Sequence, residues 1–145
     1  MRWTVAIIGL AICGLVLVGC GSATYKIPTE EKIGIPFYPG AKVDVKKTDT
    51  EHANESITKA KNVEVIVLWL KGPTTEEVTN WYQEKLSSKP GYDFSEGVIS
   101  DTFNQITFKE GEYNKYIDIY PNITTPSPNG FTGVEIRMFS MILAK

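Results

Sequence analysis

Few side chains in this sequence are of a type that could do chemistry. His52 is the only histidine, and it lies in a charged stretch with Asp49, Glu51 and Glu55. A serine–histidine nucleophile pair would have to use it, yet no nucleophile-elbow motif is present. As metal ligands, His52 and its acidic neighbours have no recognised spacing, so His52 reads as a solvated loop residue. Acidic pairs occur at Glu30/Glu31, Glu76/Glu77, Asp93/Glu96 and Glu110/Glu112. Two carboxylates perform acid–base work only where burial separates their pKa values. Glu76 and Glu77 already have a helix-capping explanation, and the other pairs fall in polar stretches and turns. No glycine-rich phosphate loop or calcium loop is visible. The residues therefore point away from an enzyme, with no catalytic group, no metal ligands and no resident cofactor expected.

Sulfur supplies the sharper signal. The two cysteines are Cys13 and Cys20, both in or at the end of an amino-terminal apolar run. Arg2 precedes that run, which extends from Val5 to Val18 and leads into Gly19-Cys20. A positive start, an apolar middle and small residues at the cut are the parts of a secretory signal. From Val5 to Cys20 the run is shorter than the roughly 20 apolar residues of a spanning helix. Trp3 and Thr4 bring it close, which leaves an uncleaved helical anchor as the alternative. Leu17-Val18-Gly19-Cys20 resembles the lipobox of prokaryotic membrane lipoproteins, in which apolar and small residues lead directly into cysteine. Bulky Ile12 makes Cys13 a poor competitor.

The resemblance implies cleavage between Gly19 and Cys20 and a diacylglyceryl thioether on the Cys20 thiol, with further acylation such as palmitate. One acyl chain holds a protein only marginally, but two or three hold it firmly. The expected location is the cell membrane or outer membrane, with the folded part outside the cytoplasm. Gly21 after the cysteine favours the outer membrane where two membranes exist. The expected organisation is a signal peptide at 1–19, a lipidated polar tether at 20–32 and one domain at 33–145. Twelve tether residues from Gly21 to Lys32 span at most about 40 Å.

Composition agrees with an exported body of this kind. Hydrophobic residues make up 42% and charged residues 22% of 145 residues, with a formal net charge of −2. No basic field exists to attract phosphates, so no nucleic-acid partner is expected. Lys42, Lys46 and Lys47 read as a solvated strand face. The body holds no cysteine, so its stability must come from packing. Asn54-Glu55-Ser56 and Asn122-Ile123-Thr124 match the glycosylation acceptor triplet, which matters only where a glycosylating machinery exists.

The elements that position these groups follow from periodicity. Ile33–Ala41, with two prolines and two glycines, is an ordered turn. Val43–Lys46 alternates as a half-buried strand, and 47–62 reads as a loop or ragged hairpin. Val63–Leu70 is apolar on both faces, as a central strand would be. Thr74 and Glu77 fit a capping box for a helix over about 75–88. Val78, Trp81, Tyr82 and Leu86 form its apolar stripe. Further strands are expected at Tyr92–Ile99, Thr102–Lys109, Tyr113–Tyr120 and Val134–Leu143, with a turn-rich loop from Pro121 to Gly133. The fold class is α+β: an antiparallel sheet of about five to six strands with one helix packed on one face. Tyr38-Pro39-Gly40-Ala41 and Thr74 to Val78 resemble motifs of small uncharacterised envelope lipoproteins, which implies a fold and no activity.

The best functional hint is aromatic. If Ile117 and Ile119 face the helix with Val134, Ile136 and Met138, then Tyr116, Asp118 and Tyr120 stand on the other sheet face. Phe139 and Met141 join them there, and Leu143 has the same parity. Such a patch suits a protein partner or a second copy of the chain, unless the 47–62 segment covers it. The expected role is a non-catalytic protein-binding or structural module. The alternative is a small-ligand or glycan binder using the same tyrosines, with a small enzyme third.

Overall fold

The computed structural model describes residues 25–55, 60–123 and 133–143. Among them, six strands form one antiparallel sheet: β1 Lys42–Val43, β2 Lys61–Leu70, β3 Asp93–Gly97, β4 Phe103–Glu110, β5 Tyr113–Ile123 and β6 Gly133–Ile142. Their order across the sheet is β1-β2-β6-β5-β4-β3. β2 is built from β-branched residues that suit a pleated surface buried on both sides. Val65 to Leu70 are all buried. Gly111, at φ +60, supplies the left-handed turn residue that lets β4 and β5 pair from Glu110 opposite Tyr113 onward. Gly133 meets β2 so closely that a Cβ there would lie 1.9 Å from the Leu70 carbonyl oxygen.

The core lies between one sheet face and α3, Thr75–Leu86. Thr74 and Glu77 exchange the two hydrogen bonds of a capping box. The Thr74 backbone amide, donating to the Glu77 carboxylate, holds that group below its usual pKa. Val78, Tyr82 and Leu86, one helical face at four-residue steps, pack on Ile66, Leu68, Ile106, Phe108, Ile117, Ile119, Ile136 and Met138. Burying three such side chains contributes about 2 kcal/mol each. Ile33 and Ile35 complete this core from the amino-terminal side. The Ile33 carbonyl accepts a 2.6 Å bond from the buried Lys115 ammonium, which also donates to Ser140 Oγ at 2.8 Å.

The α+β class, the strand sequence from Val63 onward and the capped helix match the expectation. Several local readings are corrected. The 47–62 segment is no loop: Val45–Glu55 is a helix, α2, with residues 56–59 outside the described set. The strand expected over Val43–Lys46 shrinks to Lys42–Val43. The Asp44 backbone amide still donates to the Val67 carbonyl at 2.9 Å, and its carboxylate then accepts from Lys47 N at 3.0 Å to start the helix. Tyr92–Ile99 divides into β3 and a short helix over Val98–Asp101. β2 is not central: it is second from the edge, beside a two-residue β1.

The described part of the expected tether is also packed on the body. Glu30–Ile33 is a one-turn helix, α1, capped by Thr29. Tyr25 lies against β2, its hydroxyl accepting from Val65 N at 2.9 Å and donating to Glu64 at 3.0 Å. Thr48 Oγ1 likewise accepts from Val67 N at 2.9 Å. Side-chain hydroxyls thus occupy the open β2 edge beyond β1, where bare amides would invite another strand.

Candidate functional site

The face of the sheet opposite α3 is set out in cross-strand rows. One row contains Thr107, Tyr116, Phe139 and Val65, each directly opposite the next. The next contains Gln105, Asp118, Arg137 and Val67. A third continues through Tyr120, Glu135 and Trp69, with the Phe103 ring 4.8 Å from Tyr120. Strand parity places these side chains together; the register decides which are neighbours.

α2 covers part of this face and is tied down by charge. Lys47, Glu51 and Glu55 recur every four residues and so share one helical face. Lys47 Nζ bonds the Glu135 carboxylate, which is fully buried. Glu51 Oε1 lies 3.0 Å from Arg137 Nη1, while Arg137 Nε donates to Glu135 at 2.5 Å. The Arg137 guanidinium also sits 4.4 Å from the Tyr120 ring centroid. At the helix start, Trp69 Nε1 donates to Asp44 at 2.6 Å. Burial lowers the Arg137 pKa, but hydrogen bonding and charge from Glu135 outweigh it and leave the group raised.

The third residue of the α2 stripe differs. Glu55 lines a recess of about 190 Å³ together with Gln105, Tyr116, Asp118, Phe139 and Met141. Asp118 is buried, with Oδ1 accepting from Gln105 Nε2 at 2.7 Å. Burial pushes its pKa from 3.8 up to about 6. The Gln105 hydrogen bond and the charge of Arg137 oppose that rise, while Glu55 and Glu51 add to it. Arg137 stands opposite Asp118, but its Nε and Nη1 are engaged by Glu135 and Glu51. Among the described residues, no cation forms an ion pair with Glu55 or Asp118. Burial also raises the phenol pKa of Tyr116 and Tyr120.

The structure brings Tyr116, Asp118, Phe139 and Met141 into one recess, with Tyr120 two residues away on the same face. Phe139 and Met141 are each only 8% exposed, so the broad open patch gives way to the alternative expectation, a face partly covered by the 47–62 segment, here through α2. Gln105, Glu135 and Arg137 escaped sequence reasoning, and Glu55 was a candidate there only as an acidic neighbour of His52. The four-residue spacing of Lys47, Glu51 and Glu55 beside the alternating charges of Val-Glu-Ile-Arg was the available signal.

Other candidate groups lie elsewhere. His52 is on α2, half-buried, with its ring stacked on Tyr25 at 3.6 Å. No group of three or more histidine, cysteine or acidic residues is placed to hold a metal ion among the described residues. Ser140 and Lys115 resemble a nucleophile–base pair in distance alone. They are 1% and 3% exposed, and Lys115 is committed to the Ile33 carbonyl, so a substrate carbonyl has no approach to Ser140. Gly19, Cys20 and Cys13 lie outside the described residues, as do Ser56 and the Asn122 side chain. No helix among the described residues is long and apolar enough to cross a membrane. Comparison with family models, curated proteins and solved structures finds no match to this chain.

Proposed function

We propose that this protein is a lipid-anchored envelope lipoprotein, tethered through acylated Cys20, that binds a partner protein without catalysis. The recess under α2 receives a cationic side chain of that partner. One observation carries the reading: along the α2 stripe Lys47 meets Glu135 and Glu51 meets Arg137, whereas Glu55 shares its recess with another carboxylate, Asp118. A lysine or arginine inserted there would restore the charge pattern. Tyr116, Phe139 and Met141 line the recess with apolar surface suited to the stem of such a side chain. The volume of about 190 Å³ falls below the roughly 300–1,000 Å³ of pockets that enclose drug-sized ligands. It suits one inserted side chain.

Zero-length carbodiimide crosslinking on intact membranes tests this, because it joins a carboxylate to a lysine amine only at contact distance. A discrete adduct of this chain with one partner is expected. Glu55→Gln with Asp118→Asn should abolish it while membrane retention stays unchanged. Losing one side of a desolvated charge pair costs about 2–5 kcal/mol, so affinity should fall at least thirtyfold. An adduct that persists in the double variant would refute lysine insertion at this recess, and partner co-purification unchanged in the double variant would refute insertion of an arginine, which carbodiimide does not couple. Cys20→Ser should yield a chain that carries no acyl groups and keeps residues 1–19; a native protein whose mass shows no acyl groups on Cys20 would refute the anchor.

A further inference from the structure

A second cleft opens at the end of the sheet where β2 begins and β6 finishes. It encloses about 690 Å³ and is lined by Lys61, Lys109, Glu112, Asn114, Ile142 and Leu143. Lys61 pairs across the sheet with Ile142, and Leu143 beyond it is 50% exposed, one of the few large apolar side chains left in solvent. Lys109 and Glu112 flank the β4–β5 turn at the same end. The lining therefore combines two ammonium groups, one carboxylate and an exposed aliphatic edge.

Chain length sets how far the body can stand from an anchor at Cys20. Tyr25 is held to β2 at Glu64 and Val65, and Lys32 forms a 2.6 Å ion pair with Glu64. The Ile33 carbonyl is held by Lys115, two residues from the β5 start. These amino-terminal attachments gather in the half of the sheet that holds the cleft, with Glu64 only three residues from Lys61. Between Cys20 and Tyr25 the chain spans at most about 18 Å. Along β2, Lys61 lies about 14 Å and Leu70 about 17 Å from Val65, so both ends fall within that reach. An anchor at Cys20 holds the body close to the bilayer, and the two ammonium groups beside exposed Leu143 mark the cleft end as the one that meets it.

Resting on the lipid-anchor reading, we propose that this cleft is the membrane-facing surface of the body. Lys61 and Lys109 hold the phosphates of anionic phospholipid headgroups, and Ile142 and Leu143 meet the glycerol and upper acyl region. Each lysine near an anionic surface favours the docked state about fivefold, so the pair favours it about thirtyfold, with Glu112 setting part of this back. Docking fixes the height and tilt of the body, and with them the direction in which the Asp118 recess faces.

The test uses the full lipidated chain in vesicles of phosphatidylcholine with 30% phosphatidylglycerol. A fluorophore is placed at Leu143→Cys or, near the far end of β2, at Lys71→Cys. Lipid-borne quenchers should suppress the label at 143 several-fold more strongly than the label at 71. Lys61→Gln with Lys109→Gln, or vesicles of phosphatidylcholine alone, should bring the two labels level. Equal quenching in the wild-type background, on protein shown by flotation to be membrane-bound, overturns the docking surface and leaves the anchor standing. Protein that fails to float, with a Cys20 thiol free to react with the label, overturns the anchor and the docking surface with it.

Discussion

Replacing Asp118 by asparagine should stabilise the fold and destroy the recess as a cation receptor. The native carboxyl titrates at about 6 instead of 3.8, because burial penalises its charged form more than Gln105 and Arg137 favour it. Below pH 3.8 the group is protonated in both states and no penalty exists. As pH rises through 3.8 the unfolded chain ionises first, so the native state loses stability until pH exceeds about 6. At 1.36 kcal/mol per unit, the loss reaches about 3 kcal/mol at pH 7.5 and only about 0.5 kcal/mol at pH 4. Asparagine keeps an oxygen for the 2.7 Å bond from Gln105 and never ionises. Urea unfolding followed through Trp69 and Trp81 fluorescence should therefore show the variant about 3 kcal/mol more stable at pH 7.5, with a melting temperature about 10 °C higher. At pH 4 the two proteins should nearly coincide. A variant less stable than wild type at pH 7.5, or a gain equal at both pH values, would refute the reasoning. Stabilisation accompanied by loss of the crosslinked adduct would mark Asp118 as a group retained for binding at a cost in stability.

Two further outcomes follow from the α2 side of the sheet. Tyr25→Phe removes the hydroxyl that accepts from Val65 N, costing about 1–2 kcal/mol and speeding amide exchange at Val65; an unchanged Val65 amide would contradict the edge-covering role. Asp44→Ala deprives buried Trp69 Nε1 of its acceptor and α2 of its first cap, costing about 2–4 kcal/mol in urea unfolding and shifting the Trp69 emission; an unshifted emission would refute the contact.

What could be read in the sequence was whatever local chemistry decides. Thr74, Glu77 and the Val78/Tyr82/Leu86 stripe specify α3 within thirteen residues, and Val63–Leu70 has no helical alternative with comparable β-branching. Strand parity also placed Tyr116, Asp118, Phe139 and Met141 on one face. α2 was hidden because remote partners hold it: Lys47 bonds Glu135 at a separation of 88 residues, and Thr48 receives Val67 N across 19. The alternation of Val43 and Val45 suggested a strand, yet both are exposed, and the Asp44 carboxylate between them begins a helix. Glu55 and Gln105 entered the recess only through the β4–β5 register and the docking of α2, neither of which a single strand's pattern contains.

The distribution of charge on that face argues against a purely architectural purpose. Asp44, Asp49, Glu51, Glu55, Asp118 and Glu135 bring six carboxylates to α2 and the rows beneath it, against the three cations Lys46, Lys47 and Arg137. A sheet face covered only for stability is better served by apolar residues, because even a well-paired buried ion seldom repays its desolvation. Glu135 escapes that penalty with two partners, and Glu51 with one. Asp118 does not, and its raised pKa measures the shortfall. The recess also sits where the ionic rows give way to Tyr116, Phe139 and Val65. A ligand that satisfies both sides must present a cationic head on an aliphatic stem, which is the description of a lysine or arginine side chain. Two carboxylates and one amide are a sparse donor set for a bare ion, which would leave those apolar walls unused.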